Sequence, residues 1–314
     1  MTHAAIVITK DRPREVAAFL ESLAAQVRRP DEIIVVDAST RDETRRAVED
    51  IQRSLPDLHI ATLRTAANIG GQKNEGLDSA ATDIVSFFDD DVLLPIDYCA
   101  RVLARFEADS EEGVCGLAGI PELAREPAWP LRVFRKLFFL QTNRGCNRFR
   151  FSGIPDFGFR FDAETEVEFL ASTAVSFRRN AVDGIRFDSE QLTGKALGLA
   201  TGRGFAEDVE FSHAAGRKGK LLVLPALHFR HKESPSSREN TFVTQALYVF
   251  AMRTVSDAHA DTAARRVARW WALCGLGLLS AFQTIWYRDA GYLRGYQRAM
   301  GTGLFVSGTE HKIP

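Results

Sequence analysis

The sequence predicts an α/β protein, with a doubly wound, mostly parallel sheet flanked by helices and a helical C-terminal extension. Two observations predict this class. Short apolar runs alternate with amphipathic segments over the first 120 residues, which is the order of a parallel sheet with helical crossovers. The runs themselves are almost continuously apolar, as expected for strands that are covered on both faces.

The elements of the first half follow from hydrophobic period and from breaker residues. Pro13 suits the first position of a helix, and Ser39 and Thr40 are expected to cap the second helix. Gly70 and Gly71 are interpreted as a turn before a short helix. The predicted strands are 5–9, 32–37, 59–63, 84–88 and 114–118, and the predicted helices are 14–26, 41–54, 73–80 and 98–108.

The second half has a less regular pattern. Residues 121–161 contain four prolines among many arginines and phenylalanines. They fit either a helix and an edge strand packed on the core, or an insertion that faces a substrate or a membrane. Strands are predicted at 169–177 and 220–224, a helix start at Glu207, and a further helix at 240–255.

Composition indicates a globular chain of enzyme size. The 314 residues are enough for one large domain or two small ones, and 45% of them are hydrophobic. A formal net charge of −1 gives no global attraction to nucleic acid. The four cysteines lack a C-x-x-C pair, which indicates reduced thiols in a cytosolic setting. We also expect no signal peptide, because no charged segment with a long apolar stretch opens the chain.

The most informative feature is a run of three aspartates, Asp89, Asp90 and Asp91, directly after an apolar run. Open α/β sheets bind ligands at the carboxyl ends of their strands. Three adjacent carboxylates repel one another strongly unless a cation lies among them. Oxygen ligands suit Mg²⁺ or Mn²⁺, and these ions usually hold substrate phosphates. The alternative is a helix N-cap before Pro95, although a cap needs only one aspartate.

Other polar residues also stand at the ends of predicted elements. Asp37 ends the second strand, and the segment 68–76 fits either a backbone approach to a diphosphate or an ordinary turn. Glu207 and Asp208 begin a helix, where the dipole favours anions, and a simple helix-end charge is the alternative. His231 follows a late strand and is a candidate metal ligand, although a lone histidine is usually structural.

Four segments, in chain order, resemble family 2 glycosyltransferases of the GT-A fold. They are 5–13 (AIVITKDRP), 33–40 (IIVVDAST), 68–76 (NIGGQKNEG) with 87–91 (FFDDD), and 205–208 (FAED) with 225–231 (PALHFRH). The resemblance runs from about residue 4 to residue 240. No single segment is specific, but the ordered set is.

The resemblance implies a role for each matching residue. Asp37 would hold the base or ribose of a nucleotide and Asp89 would contact the ribose, within a donor-binding set of Thr9, Asp11, Asp37, Lys73, Asp89 and Asp90. Asp91 would bind Mg²⁺ or Mn²⁺. His231 fits the late histidine that completes the metal shell in some members, whereas His228 fits less well. Asp208 would be the catalytic base, with Glu207 beside it.

Three residues depart from the family pattern. Lys10 replaces a residue that is usually tyrosine or neutral, Ala38 replaces a second aspartate, and Lys73 replaces an arginine. The first two lie at the nucleotide, so the pattern does not identify the base. The Q-x-x-R-W motif of processive synthases does not follow Asp208, which indicates transfer of a single sugar.

The implied function is an inverting, metal-dependent transfer of one sugar from a nucleotide-diphosphate sugar to a glycan or glycolipid acceptor. It is expected in cell-surface polysaccharide biosynthesis. The predicted catalytic domain is 1–238, with a nucleotide-sugar half at about 1–120 and an acceptor half at about 121–238. Two alternatives stay open. A nucleotidyltransferase should carry a glycine-rich loop where residues 10–13 have none, and a non-catalytic glycan-binding protein should tolerate loss of Asp208.

The C-terminal region, 239–314, is predicted to be helical and to contain a long apolar segment. Residues 270–287 have Trp at both ends and Arg before them, as suits a membrane interface. The run is slightly shorter than the roughly 20 residues that span a bilayer. In-plane association, a buried helix and a true span all stay open. The expected location is cytoplasmic, with peripheral contact at the inner face of the cell membrane and no nucleic acid partner.

Overall fold

The computed structural model describes residues 1–111, 113–122, 128–142, 146–158, 160–170, 173–232 and 240–302. Within them the strands are β1 His3–Thr9, β2 Glu32–Asp37, β3 Ile60–Arg64, β4 Ile84–Asp89, β5 Val92–Leu93, β6 Val114–Pro121, β7 Arg148–Phe149, β8 Pro155–Asp156, β9 Thr165–Val167, β10 Ala174–Arg178 and β11 Lys220–His231. The α-helices are α1 Pro13–Ala24, α2 Glu43–Ser54, α3 Ile69–Ser79, α4 Tyr98–Glu107, α5 Trp129–Leu137, α6 Glu207–Gly216, α7 Thr241–Ala258, α8 Ala263–Tyr287 and α9 Gly291–Gly301.

One large sheet organises the chain, in the order β3–β2–β1–β4–β10–β6–β11–β5. β1 to β4, β6 and β11 point the same way, because β10 is antiparallel to both β4 and β6, and β6 is parallel to β11. β5 and β9 pair antiparallel with β11. The α/β class with a mostly parallel sheet is confirmed, and β10 is the central exception.

Helices cover both faces of this sheet, as the doubly wound prediction requires. Alternate residues of β1 serve different faces: Ala5 and Val7 join one apolar cluster, and Ala4 and Ile6 join the other. The first cluster packs against α1, α2 and α4 and the second against α3 and α6. A third cluster joins α5, α7, α8 and α9 to the edge of this core.

Three predictions about elements were wrong. Gly70 and Gly71 lie in the first turn of α3, where the Asn68 side chain accepts a hydrogen bond from the Gly71 amide at 2.9 Å. Ser39 does not cap α2; its hydroxyl instead donates to Thr44 Oγ1 at 3.0 Å, and α2 begins only at Glu43. His231 does not follow a strand but ends β11, which runs seven residues beyond the predicted end.

The structure also gives the elements of the middle and C-terminal parts of the chain. Residues 131–137 form most of α5, and residues 148–156 contain the short antiparallel pair β7–β8. α7 and α8 begin at side-chain caps from Asn240 and Thr262. The predicted domain boundary at 238–239 lies outside the described residues. Among those described, no helix is long and apolar enough to cross a membrane.

Candidate active site

Three neighbouring strands bring the predicted acidic residues to one edge of the sheet. Thr9 pairs with Asp37 across β1 and β2, and Ile8 pairs with Asp89 across β1 and β4. Because all three strands are parallel, their carboxyl ends meet here, as the strand pattern predicted. The side-chain amide of Gln72, on α3, donates hydrogen bonds to the carbonyl oxygens of Thr9 and Val36 and so connects α3 to this edge.

The Asp90 carboxylate is buried and turned towards Thr9 and Arg12. It is 3% exposed, and its two carboxylate oxygens accept from Thr9 Oγ1 at 2.7 Å and from Arg12 Nη1 at 2.5 Å. Arg12 also contacts Asp91 Oδ2 at 3.3 Å. Arg12 is a site residue that the sequence analysis missed, although it stands in the first segment of the family resemblance.

Asp89, Asp91 and His231 form a candidate metal centre. One ligand atom from each residue lies within 4.8 Å of the others, and His231 Nε2 is 3.1 Å from Asp91 Oδ1. The antiparallel pairing of β5 with the end of β11 places His231 opposite Val92, one residue after Asp91. Two carboxylates and an imidazole are a donor set that Mg²⁺ or Mn²⁺ accepts, so the residues fit the predicted ion.

The acidic cluster is electrostatically costly without a cation. Burial, with further repulsion from Asp91 and Asp90, raises the pKa of Asp89 to about 7, against the attraction of Lys73 and His231. Burial likewise raises the pKa of Asp90 to about 6, although Arg12 and Thr9 oppose the rise. Ionised carboxylates in this position gain most from a nearby positive charge, which is consistent with a metal-binding role.

A cleft of about 370 Å³ opens beside these strand ends. Of the predicted donor-binding residues it is lined by Thr9, Asp11, Asp89 and Asp90, together with Lys10 and Arg12. The loop before α6 closes the opposite side, because the Ile69 amide donates to the Gly202 carbonyl oxygen at 3.0 Å. This loop adds cleft residues that the sequence analysis did not identify: Thr201, Gly202 and Arg203.

Two predicted donor-binding residues do not line the cleft. Asp37 is 3% exposed, and one of its carboxylate oxygens accepts a hydrogen bond from the Ser39 amide at 2.8 Å. Lys73 is 1% exposed and points into the core, where its Nζ lies 2.8 Å from Glu207 Oε1. Lys73 therefore contacts Glu207 of the predicted catalytic pair and does not line the cleft.

Glu207 and Asp208 open α6, as predicted. Ala206, at the N-cap, has φ of 65°, a left-handed conformation that is uncommon for a residue with a side chain. Glu207, the first residue after this cap, is buried, and Asp208 is half-buried. His228, by contrast, is exposed on β11 and lies 3.9 Å from Glu122, apart from the metal cluster.

Comparison with known proteins gives the class of this fold. Residues 4–183 match glycosyl transferase family 2. Mannosyltransferase PcManGT from Pyrobaculum calidifontis, solved with GDP-Man and Mn²⁺, superposes with a TM-score of 0.57 at 16% identity over 96% of this chain and 87% of that chain. TarS from S. aureus superposes with a TM-score of 0.53 at 18% identity, over 92% of this chain and 44% of that chain. This chain thus spans less than half of that TarS chain.

A shorter TarS structure, residues 1–349 in complex with UDP-GlcNAc, gives a TM-score of 0.53 at 18% identity over 96% of this chain and 91% of that chain. These likenesses show the fold, and they confirm its GT-A type. No curated protein matches the sequence. Since the family match covers more than half of the chain, the chain belongs to glycosyl transferase family 2. The predicted enzyme class, glycosyltransferase, is confirmed.

Proposed function

We propose that this protein transfers a single sugar, with inversion, from a nucleotide-diphosphate sugar to a glycan or lipid-linked acceptor. The observation that carries the proposal is that two acidic groups approach the same buried cation, Lys73, beside the cleft. The metal-ligand cluster of Asp89, Asp91 and His231 lies at the strand ends. Asp208 lies in the first turn of α6, and the preceding residue, Glu207, contacts Lys73 on α3.

The donor is the ligand for which the cleft is best suited. Its volume of about 370 Å³ and its mixed lining of Thr9, Asp11 and main-chain groups suit a nucleotide with a sugar. The similar structures were solved with GDP-Man and with UDP-GlcNAc, which supports a nucleotide sugar as the class of donor. Asp37 and Asp11 shape the turn at which we place the base and ribose.

A divalent ion supplies the charge that the leaving group needs. Held by Asp89, Asp91 and His231, Mg²⁺ or Mn²⁺ would neutralise the developing negative charge on the nucleotide diphosphate. Arg12 and Thr9 keep Asp90 turned inward and so fix the backbone that presents the two neighbouring carboxylates. Mn²⁺ in the PcManGT structure supports an ion of this type.

Asp208 is assigned as the general base. As the acceptor oxygen forms its bond to the anomeric carbon, the bond from that carbon to the diphosphate oxygen breaks, and the acceptor proton passes to the Asp208 carboxylate. A single displacement inverts the anomeric carbon and needs no second carboxylate as nucleophile. We place this reaction in cell-surface polysaccharide biosynthesis, on the cytoplasmic face of a membrane.

The metal assignment is tested by calorimetry of nucleotide binding. We expect GDP or UDP to bind with Mn²⁺ and to lose at least about tenfold in affinity with EDTA, because an ion held by Asp89, Asp91 and His231 would supply positive charge for the diphosphate. Asp91→Ala should abolish both the metal dependence and the transfer activity. Asp97→Ala, at a half-buried aspartate that does not line the cleft, is the control and should bind as the unaltered protein does. Equal affinity with and without EDTA would count against the assignment.

A further inference from the structure

Helix α8 is apolar on two opposite faces. One face is buried in the third core cluster through Ala272, Leu273 and Leu276. The other is exposed, and Val267, Trp271, Leu278, Phe282 and Ile285 keep between 47% and 78% of their surface accessible. Their spacing of four, seven, four and three residues follows the helical repeat. They therefore form one stripe, about 27 Å long at 1.5 Å per residue.

Helix α5 extends this stripe sideways. Trp129, Val133 and Leu137 recur every four residues and are 57% to 69% exposed. The two helices meet where the Trp271 ring stacks on Phe138 at 4.8 Å and Trp271 Nε1 donates to the Leu137 carbonyl oxygen at 3.0 Å. We call the exposed apolar residues of both helices the α5–α8 surface. Patches of this kind on soluble proteins mark interaction sites.

Charge on the two helices has one sign. Neither α5 nor α8 contains an aspartate or a glutamate, and together they carry six arginines and lysines. Lys136 and Arg266 are exposed beside the apolar residues. Tryptophans stand near both ends of the α8 stripe, as in segments that lie at the boundary between headgroups and acyl chains. A second molecule of this protein is a less suitable partner for this surface, because a two-fold symmetric contact would bring the same cations of both molecules close together.

We infer that the α5–α8 surface lies in the headgroup region of an anionic phospholipid bilayer, with both helices roughly in the membrane plane. Phe282 and Ile285 enter the apolar boundary, and the exposed cations contact lipid phosphates. This deepens the membrane contact proposed above by adding α5 and by giving the orientation of α8. It concerns binding alone, so its test is independent of whether the protein transfers sugar.

The test is sedimentation with vesicles of phosphatidylglycerol and phosphatidylcholine, without donor. We expect the unaltered protein to sediment with them and to remain in solution with pure phosphatidylcholine. The double variant Phe282→Glu, Ile285→Glu should bind at least about tenfold more weakly, because it places two carboxylates in the apolar boundary. Val133→Glu, on α5, should also weaken binding. Val27→Glu, at a residue 73% exposed elsewhere, is the matched control and should bind normally.

Three results would overturn this inference. The unaltered protein could fail to sediment with anionic vesicles, or Val27→Glu could weaken binding as much as the double variant does. Alternatively, analytical ultracentrifugation could show a dimer that the double variant dissociates while vesicle binding is absent, which would identify the occupant as a second copy.

A separate observation concerns the buried ion pair of Lys73 and Glu207. Their side chains are 1% and 4% exposed, and Nζ lies 2.8 Å from Oε1. The Phe187 ring covers the ammonium at 5.1 Å from its centroid. Although burial lowers the pKa of Lys73, the charges of Glu207, Asp208 and Asp89 together raise it. One cation therefore faces carboxylates from both the metal cluster and the start of α6.

We propose that Lys73 is a positioning residue that fixes Glu207, and through the next peptide Asp208, relative to Asp89. α3 supplies the cation and α6 the carboxylates, so the pair sets the distance between the two acidic groups of the site. This rests on the proposed role of Asp208, which the kinetics of Asp208→Asn test separately.

Removing one partner of a buried pair destabilises a protein, whereas replacing both with apolar residues is often tolerated. We expect Lys73→Met alone to lower the melting temperature, and the double variant Lys73→Met, Glu207→Met to recover most of it. Turnover of the double variant should nevertheless stay at least about tenfold low, with the donor KM within about threefold. Restored turnover would show a purely structural pair. A raised donor KM with unchanged kcat would make Lys73 a donor-binding residue.

Discussion

At the residue scale, Asp89, Asp90 and Asp91 show what a sequence pattern can and cannot give. Their position after an apolar strand predicted an acidic site, and the structure places all three at the sheet edge. The pattern did not say that Asp90 turns inward to Thr9 and Arg12. Successive side chains at a strand end point in different directions, and which of them meets a partner depends on a distant part of the chain.

The pairing of Lys73 with Glu207 could not be predicted at all. The two residues are 134 positions apart and lie on helices α3 and α6, which pack on one face of the sheet. Local composition around Lys73 fitted either a phosphate-binding turn or an ordinary turn. Lys73 lies on the buried face of α3 together with Gly76 and Leu77, and the packing of this face directs its side chain inward.

His3 gives a prediction about stability and pH. Its imidazole is fully buried, Nε2 lies 2.8 Å from Ser86 Oγ, and burial lowers its pKa from 6.5 to about 4. The folded state thus holds the neutral ring more strongly than the unfolded chain does. The neutral ring therefore contributes to the free energy of unfolding, and the contribution is fully present above pH 6.5. As the pH falls from 6.5 towards 4, the free energy of unfolding decreases by about 3 kcal/mol.

The measurement compares urea unfolding of the unaltered protein and of His3→Gln, which keeps a polar side chain but does not titrate. From pH 7 to pH 4, the free energy of unfolding of the unaltered protein should fall by about 3 kcal/mol more than that of the variant. Parallel pH profiles would show that His3 is not held neutral in the fold.

At the element scale, the strands and helices of the first 120 residues were largely predicted, since buried parallel strands and amphipathic helices have clear periods. The antiparallel direction of β10 was not predicted, because the same apolar pattern occurs in parallel and antiparallel strands. β10 inserts between β4 and β6. The start of α3 was also missed, because the Gly70–Gly71 pair indicates a turn unless its cap is recognised.

Gly76 tests how closely α3 packs on the sheet. A Cβ atom at this position would lie 2.4 Å from Ile6 Cγ2 and 3.2 Å from Val36 Cγ2. Gly76→Ala should therefore lower the free energy of unfolding by about 1–3 kcal/mol through overpacking, despite the better helix propensity of alanine. Chemical denaturation measures this. Gly113→Ala, where a Cβ meets nothing within 4 Å, is the control, and equal effects would contradict the packing argument.

At the scale of the whole molecule, one sheet edge collects residues from distant parts of the chain. Asp89 ends β4, Asp91 lies two residues later, and His231 ends β11. Asp208 lies in the first turn of α6, whose first residue, Glu207, contacts Lys73. The described C-terminal helices cover one side of this core and leave the α5–α8 surface exposed. The division into a donor half, an acceptor half and a C-terminal region remains a prediction, as does the role of each site residue.

The most direct test of the account is the kinetics of Asp208→Asn. A general base acts only while the sugar is transferred, so its loss should lower turnover and leave donor binding nearly intact. We predict a donor affinity within a few-fold of the unaltered protein and a transfer rate lower by at least about a hundredfold. Transfer at a near-normal rate would show that Asp208 is only a charge at a helix start, and would contradict the proposed mechanism.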